Sequence, residues 1–269
     1  MAKRKRIWNK EKYHRYLSEG RGQGTASEYK PWIYIHDFSS NGIVSRVKGM
    51  TTGRIHHLLS NQELWYFYLL DWSEKTMDIR EQFPLSELEE AIKIADSLGI
   101  RYPYDRKSGF PYVLTSDFLI TTRQGTIARS VKLAKDLDNP RVCEKLEIER
   151  QYWKRKGIEW RLVTENQISR AKARNIEWLF SGSPLEELIC GDEKRNQSME
   201  YFLYLYGDGK IRFPDMLREV EQNFDLKAGT GICIFKALVI HRKIILKMEK
   251  PIDLSEPREK DGLWSRKSM

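Results

Sequence analysis

Two patterns of apolar side chains alternate along the first two thirds of the chain, one with helical spacing and one with the two-residue period of strands. The helical pattern predicts helices over residues 54–71, 88–98 and 140–156. Alternating runs rich in β-branched residues predict strands over residues 77–83, 112–122, 127–135 and 160–164. Because the last helix connects two strands, it predicts a crossover between them. The order of elements is that of an α/β domain.

A hairpin is predicted where the second and third strands meet. The residues between them, Arg123-Gln124-Gly125-Thr126, include a glycine that can adopt the positive φ of a tight turn. A two-residue turn at Gln124-Gly125 would place Asp117 directly opposite Lys132. Ser130 and Lys132 would then share one face of their strand.

The last third of the chain has a different composition and predicts a second, smaller domain. Residues 1–168 form the first predicted domain, and polar, Gly- and Ser-containing sequence predicts a linker over residues 169–198. Helices are expected over residues 199–206, 214–224 and 231–242, followed by a strand over residues 244–248. Three helices and a wing strand are typical of a winged helix, so residues 199–269 are expected to be winged-helix-like.

Composition and charge narrow the class of protein. The chain has 269 residues, 40% of them hydrophobic, with a mean hydropathy of −0.62, which excludes a disordered polymer and predicts no membrane span. Its net charge of +9 favours a polyanionic partner. Three cysteines, more than forty residues apart, suit neither a disulfide framework nor a CxxC metal pair, so a reducing cytoplasm is expected.

Positive charge is concentrated at the start of the chain. Residues 1–22 contain eight Lys or Arg and two Glu, a net charge of +6. Two interpretations stay open at this point: an arm that contacts phosphates, or a solvated, fraying terminus.

Three acids fall on positions that should be apolar, where a carboxylate is costly unless it is compensated. Glu63 lies on the inward face of the helix predicted over residues 54–71, and Glu149 lies on the inward face of the helix predicted over residues 140–156. Asp117 interrupts an otherwise largely apolar strand. Each alone is more typical of a structural ion pair. Together with Lys132, three acids from separate elements can converge on a site that holds Mg²⁺ through oxygen ligands.

A wider set of motifs resembles one nuclease family. Asp117 followed by Ser130-Val131-Lys132 resembles the PD…(D/E)xK signature of restriction-endonuclease-like nucleases. The more specific strings, in order, are Glu19-Gly20-Arg21-Gly22-Gln23-Gly24, His56-His57-Leu58-Leu59-Ser60, Glu63-Leu64, Asp78-Ile79-Arg80-Glu81-Gln82-Phe83-Pro84, Thr115-Ser116-Asp117-Phe118, Glu144-Lys145-Leu146-Glu147, Glu149-Arg150 and Tyr152-Trp153. Over about residues 19–180 they resemble TnsA, the endonuclease subunit of TnsABC-type transposases.

The resemblance implies a fold, a reaction and partners. The first domain would be a restriction-endonuclease-like mixed sheet flanked by helices, and it would cut the 5′ strand of double-stranded DNA at transposon ends. Its partners would be a TnsB-like transposase and a TnsC-like ATPase, which the C-terminal domain would contact. One or two Mg²⁺ ions would serve as cofactor, and Mn²⁺ is expected to substitute.

The resemblance also implies roles for single residues. Glu63, Asp117 and Lys132 match the catalytic acids and lysine, and Glu149 matches a further acid near the metal. Ser130 departs from the pattern, because the wider nuclease group has an acid there and TnsA proteins commonly have glutamine. The implied metal ligands are Glu63, Asp117, Glu149 and the short neutral oxygen of Ser130, with a backbone carbonyl or water completing the shell.

Two other functions remain open from the sequence. One is a restriction or repair endonuclease of the same fold, which would cleave DNA without partners. The other is a winged-helix DNA-binding regulator whose nuclease-like domain is inactive, with Ser130 marking the decayed site.

Overall fold

A computed structural model describes residues 7–37, 43–208 and 211–254. The chain divides into two compact units, Met1–Ser169 and Arg170–Met269. Within the described ranges, no helix combines the length and the apolar character that crossing a membrane requires.

Unit 1 is built on a four-stranded mixed sheet. Its helices are α1 (Lys10–Ser18), α2 (Asn61–Asp71), α3 (Leu88–Ser97) and α4 (Pro140–Arg155), and its strands are β1 (Ser45–Lys48), β2 (Ile55–Leu58), β3 (Thr76–Pro84), β4 (Thr115–Thr122), β5 (Gly125–Val131) and β6 (Glu159–Val163). The sheet has the order β3-β4-β5-β6, and only β5 and β6 are parallel. Helix α4 connects these two strands, as the crossover pattern predicts.

Helices cover both faces of this sheet. On one face, Ile94 of α3 and Ile148 and Trp153 of α4 pack with Leu119 of β4 and Ala128 of β5 in one buried cluster. Adjacent strand residues point to opposite faces, and Phe118 contacts Tyr66 of α2, with ring centroids 5.8 Å apart. The prediction of an α/β fold with a mixed sheet flanked by helices is confirmed.

The helix predicted over residues 54–71 is wrong in its first part. Residues Ile55–Leu58 form β2, which pairs antiparallel with β1, and the helix begins only at Asn61. Ser60 ends the extended segment, because its Oγ accepts a hydrogen bond from the N–H of Glu63 (3.1 Å) and caps α2. Sequence spacing missed the boundary because apolar residues of β2 fall by coincidence at helical intervals from those of α2.

The hairpin forms, but its predicted register is wrong by two residues. Thr122 pairs with Gly125, so Arg123 and Gln124 form the loop. The Thr122 hydroxyl donates to the Gly125 carbonyl (2.9 Å) and closes this turn in place of the expected one. The last pair of this register is Phe118 with Arg129. The next pair in the same register would be Asp117 with Ser130, and not Asp117 with Lys132. A shift of two residues keeps every side chain on its face, so Lys132 stays on the side of Asp117.

The basic N-terminal segment is folded from residue 7 onward. Trp8, Tyr16 and Trp32 are buried in one aromatic cluster, and Trp8 Nε1 donates to the carbonyl of Pro111 (2.8 Å). A fraying terminus is therefore wrong for residues 7–22. Residues 1–6, which carry four of the eight cations, lie outside the described residues.

Unit 2 is helical in the part of it that the structure describes. It contains α5 (Arg170–Phe180), α6 (Leu185–Leu188), α7 (Asp192–Asp208), α8 (Phe213–Asn223) and α9 (Thr230–Ile240). Phe202 and Phe235 are fully buried in its core. The three predicted helices are present as α7, α8 and α9, but residues 244–248 form no strand, so the predicted wing strand is wrong.

The predicted linker over residues 169–198 is also wrong as a structural description. It consists mostly of α5, α6 and the first part of α7. Helix α5 is amphipathic in spite of its polar composition, and its inner residues Ala173, Ile176 and Leu179 are buried. These helices belong to unit 2 and not to a connection between units.

Candidate active site

Asp117 and Lys132 form an ion pair at the end of β5. Lys132 follows the last residue of the strand, and its backbone N–H donates to the carbonyl of Val163 in β6 (3.0 Å). Its Nζ lies 2.8 Å from Asp117 Oδ2, which also accepts from the Val131 N–H at 2.7 Å. Burial alone would lower the pKa of Lys132, but the Asp117 carboxylate outweighs burial and raises that pKa above the ordinary value.

The pair opens onto a cavity of about 500 Å³, a size typical of ligand sites. Its charged lining consists of Asp117, Glu149, Lys132, Lys135, Asp136 and Lys145. Apolar side chains such as Val113 and Leu146 complete the walls. The cavity therefore brings together three of the residues that the sequence analysis selected, Asp117, Lys132 and Glu149.

Glu63 is the third residue of α2 and is almost completely buried. Its Oε2 accepts from the Leu59 N–H (3.0 Å) and from Gln82 Nε2 (3.2 Å), and its Oε1 accepts from the Ser60 hydroxyl (3.0 Å). Burial first, and then the nearby Asp117 charge, raise the pKa of Glu63 to about 7. The carboxylate is thus close enough to Asp117 for their charges to repel, although Glu63 does not line the cavity itself.

Gln82 holds Glu63 in place through an unusual backbone. It lies in β3 with φ +48°, the left-handed region that non-glycine residues rarely adopt. Its side-chain amide bridges two elements, because Nε2 donates to Glu63 while Oε1 accepts from the Thr115 hydroxyl of β4 (3.2 Å). The sequence analysis did not select Gln82. The signal was available, since Gln82 is a polar residue within the string Asp78-Ile79-Arg80-Glu81-Gln82-Phe83-Pro84.

Glu149 points inward from α4 and is also buried. Its Oε1 accepts hydrogen bonds from the Ser116 hydroxyl (2.5 Å), from the Ser130 hydroxyl and from Trp160 Nε1 (2.8 Å). Burial raises the pKa of Glu149 to about 7, against the lowering effect of these donors. Ser130 is 1% exposed and does not line the cavity, so the structure places it as a support for Glu149. Its role as a metal ligand stays a prediction.

The donor set suits a divalent cation only in part. In the described ranges, no three His, Cys, Asp or Glu side chains come close enough to enclose a metal ion by themselves. Both hydrogen bonds that the structure gives Asp117 go to Oδ2, which leaves Oδ1 as an oxygen donor of the type that Mg²⁺ prefers. An ion beside Asp117 and Glu63 would therefore need water, backbone or phosphate oxygens to complete its shell.

A second buried charge network fixes β2 against β3, away from the cavity lining. Glu81 is fully buried and accepts from both terminal nitrogens of Arg54 (2.8 and 2.5 Å) and from His56 Nδ1 (2.8 Å). Burial would raise the pKa of Glu81, but these hydrogen bonds outweigh it and lower the pKa to about 2. His56 is a core residue, because it lies in a strand whose inner face it occupies.

Comparison with known proteins places both units in one family. Residues 73–165 match the family described as TnsA-like endonuclease N terminal, and residues 167–248 match the family described as TnsA endonuclease C terminal. The chain is 36% identical over 241 residues to the transposon Tn7 transposition protein TnsA of Escherichia coli, covering 88% of this chain and 86% of that protein. Together with the α/β fold, these matches show that the chain belongs to the TnsA endonuclease family.

Proposed function

We propose that this chain is the endonuclease subunit of a heteromeric transposase and hydrolyses the 5′ strand of double-stranded DNA at transposon ends. The single observation that carries the proposal is the Asp117–Lys132 pair, 2.8 Å apart, at the wall of a 500 Å³ cavity within the matched endonuclease segment. Glu149 shares this cavity and Glu63 lies within electrostatic reach of Asp117. Hydrolysis would leave 5′-phosphate and 3′-hydroxyl ends.

The cofactor we propose is Mg²⁺, one ion or two, with Mn²⁺ as a substitute. When bound, such an ion polarises the phosphate and lowers the pKa of a water molecule. Asp117 would hold it through Oδ1, and Glu63 is the second proposed ligand. Glu149 would contribute charge from the cavity wall, while Ser116, Ser130 and Trp160 fix its orientation.

Lys132 acts in this proposal as a fixed positive charge. Because Asp117 keeps the pKa of Lys132 above the ordinary value, the ammonium group stays protonated and cannot serve as a general base. It can donate hydrogen bonds to the attacking water or to a phosphate oxygen on which negative charge grows. Its anchor at Asp117 and at the Val131 carbonyl (3.0 Å) keeps it in position before DNA binds.

The partners are proposed from the same family membership. We expect a TnsB-like transposase and a TnsC-like ATPase to assemble with this chain at the DNA ends, and unit 2 to contact the ATPase. A reducing cytoplasm remains the expected location, and Cys143, Cys190 and Cys233 are free thiols.

The test is the variant Asp117→Asn, assayed for 5′-strand nicking of a labelled transposon end in the presence of the partner subunits. We expect a loss on the order of 1,000-fold or more, because a group that acts in the reaction is removed while its shape is kept. Thermal stabilisation by Mg²⁺ or Mn²⁺ should disappear in the same variant. The matched control is Asp96→Asn, which changes an exposed acid of α3.

Circular dichroism separates loss of function from loss of folding. If Asp117→Asn keeps the wild-type spectrum and still nicks the 5′ strand at the wild-type rate, the assignment is wrong. If the wild-type protein cleaves DNA efficiently without any partner, the chain acts instead as a solitary endonuclease of this fold.

A further inference from the structure

Two lysines of the cavity have no role in the chemistry described above. Lys135 lies in the 3-10 turn that follows Lys132, and Lys145 lies on α4. Both line the cavity, together with the acids Asp117 and Glu149. They are exposed to solvent, so a ligand that enters the cavity can reach them.

Neither lysine is neutralised by the protein. Within the described ranges, the structure gives Lys135 and Lys145 no ion pair and no side-chain hydrogen bond. Lys132, in contrast, is bound to Asp117, and Arg141 is bound to Glu144 at 2.5 Å. Asp136 also lines the cavity, but it forms no ion pair with either lysine. The cavity therefore has two cations without an acidic partner.

The charges that shift the pKa of Lys145 are those of two other cations. Partial burial, and then the charges of Arg141 and Lys132, lower the pKa of Lys145 below the ordinary value. A cation crowded by other cations is stabilised by an anion from outside the protein. This electrostatic effect agrees with the geometry, in which Lys145 lines the cavity.

The position of Lys145 on α4 is compatible with the spacing of a DNA strand. Lys145 precedes Glu149 by four residues on one helix, so the two share a face and lie about 6 Å apart along its axis. One strand of B-form DNA rises about 3.4 Å per nucleotide. A phosphate one or two nucleotides from the bond that is cut would therefore reach Lys145 while the reacting phosphate lies beside the acids.

We propose that Lys135 and Lys145 form a subsite for phosphodiester groups of the cleaved DNA strand, one or two nucleotides from the scissile bond. The inference deepens the proposed function and depends on it. The acids and Lys132 perform the reaction, whereas the two lysines set the affinity and register of the strand. The lysines bind backbone phosphates, so this subsite carries no preference for base sequence.

The experiment compares the double variant Lys135→Gln/Lys145→Gln with a control of equal charge change, Lys93→Gln/Lys154→Gln, which alters exposed lysines outside the cavity lining. Both are made in the Asp117→Asn background, so that the DNA stays intact. Affinity for a transposon-end duplex is measured by fluorescence anisotropy across a salt series, with the partner subunits present. The subsite predicts about tenfold weaker binding and a salt slope reduced by about 1 to 2, since each lost phosphate contact lowers it by about 0.9. The control pair should change the slope by much less.

Neutral methylphosphonate linkages locate the phosphates. Placed one at a time along the cleaved strand, they should weaken binding to the protein with intact lysines at one or two positions near the cut. At those positions they should have no further effect on the double lysine variant. Equal losses in both proteins at every position, or an unchanged salt slope, would overturn the subsite.

Failure of the subsite is distinguishable from failure of the proposed function. In a protein with wild-type Asp117, Mg²⁺-dependent thermal stabilisation and 5′-strand nicking test the reaction without reference to the lysines. If both are present and the methylphosphonate positions do not depend on Lys135 and Lys145, only the subsite is wrong. If wild-type protein shows neither, the proposed function is wrong as well.

Discussion

The two units differ in what they bury. Among the described residues, the interior of unit 1 holds seven acidic side chains: Glu63, Asp71, Asp78, Glu81, Asp105, Asp117 and Glu149. The buried polar side chains of unit 2 are the neutral Asn175, Ser198 and Thr230. A buried carboxylate is unfavourable without compensation. Folding of unit 1 therefore includes an unfavourable free energy of burying charge that folding of unit 2 does not include.

The buried acids of unit 1 also differ among themselves. Glu81 and Asp117 each contact a cation, Arg54 and Lys132 respectively. Glu63 and Glu149 accept hydrogen bonds only from neutral donors, and the pKa of each rises to about 7. An acid with its own cation secures the fold, as Glu81 does, whereas Glu149 lines the cavity and Glu63 lies within electrostatic reach of Asp117. Asp117 combines both features, because it has its own cation, Lys132, and also lines the cavity.

Among these predictions, we expect the largest loss of stability from the substitution Glu81→Gln. The change leaves Arg54 without its buried charge partner, so we expect unit 1 to lose about 3–5 kcal/mol of stability. Hydrogen–deuterium exchange of the full chain should show the loss in peptides of unit 1. Glu89→Gln, at an exposed site, is the matched control. Unchanged protection in unit 1 would contradict the view that Glu81 secures the fold.

In unit 2 the substitution that corresponds to Glu81→Gln removes an apolar side chain from the core. Phe235→Ala removes a fully buried ring, and truncations of this kind cost about 3–5 kcal/mol. The loss of protection should appear in peptides of unit 2. The expected cause is a cavity rather than an unpaired charge, so this loss should be the same at pH 7 and at pH 4.

Lowering the pH should remove the stabilising contribution of the Glu81 ion pair, and the expected loss of stability is somewhat smaller than for the two substitutions. Its folded pKa of about 2 lies below the ordinary value of 4.5, so its contribution to stability is complete above pH 4.5 and is lost as pH falls toward 2. At about 1.4 kcal/mol per pKa unit, the loss is about 3 kcal/mol. Unfolding in denaturant, measured at several pH values, should show a steeper decline for wild type than for Glu81→Gln. Parallel curves would reject this assignment.

The smallest change in stability is expected for Gln82→Gly. Glycine relieves the left-handed backbone at φ +48°, a gain of about 1 kcal/mol that offsets part of the two lost hydrogen bonds. The unfolding free energy should therefore shift by less than about 2 kcal/mol. Nicking should nevertheless fall about tenfold, because Glu63 loses the donor that fixes Oε2. Gln82→Asn keeps an amide that is too short to reach, and a wild-type nicking rate in both variants would show that Gln82 serves only the fold.

The sequence predicted the three helices α2, α3 and α4 and the four strands of the main sheet in unit 1, because each has a face that must be buried, but it did not predict α1, β1 and β2. It did not predict where β2 ends, since the cap at Ser60 is a local hydrogen bond that apolar spacing does not record. The hairpin register failed for a similar reason, because the Thr122 hydroxyl selects one of two possible turns. The Asp117–Lys132 contact was still expected correctly, because the error of two residues preserved the face.

Other features depend on partners that are distant in the sequence. His56 can be buried because Glu81, 25 residues away, accepts a hydrogen bond from its Nδ1, and no local sequence pattern shows that pairing. Gln82 and Ser130 act on carboxylates of other elements. A residue that orients another side chain does not disturb the periodic pattern of apolar positions. The acids could be predicted because they occupy positions where that pattern requires an apolar residue.

The indole contacts of Glu149 have a practical consequence. Trp160 donates directly to its Oε1, and Trp153 donates to the Ser116 hydroxyl (2.6 Å) that does the same. Any ligand that alters the charge of this carboxylate also alters the electric field across two indole rings. We therefore expect the native fluorescence of the protein to respond to ligands in the cavity, and the difference spectrum between wild type and Trp160→Phe would isolate the contribution of Trp160 without any attached dye.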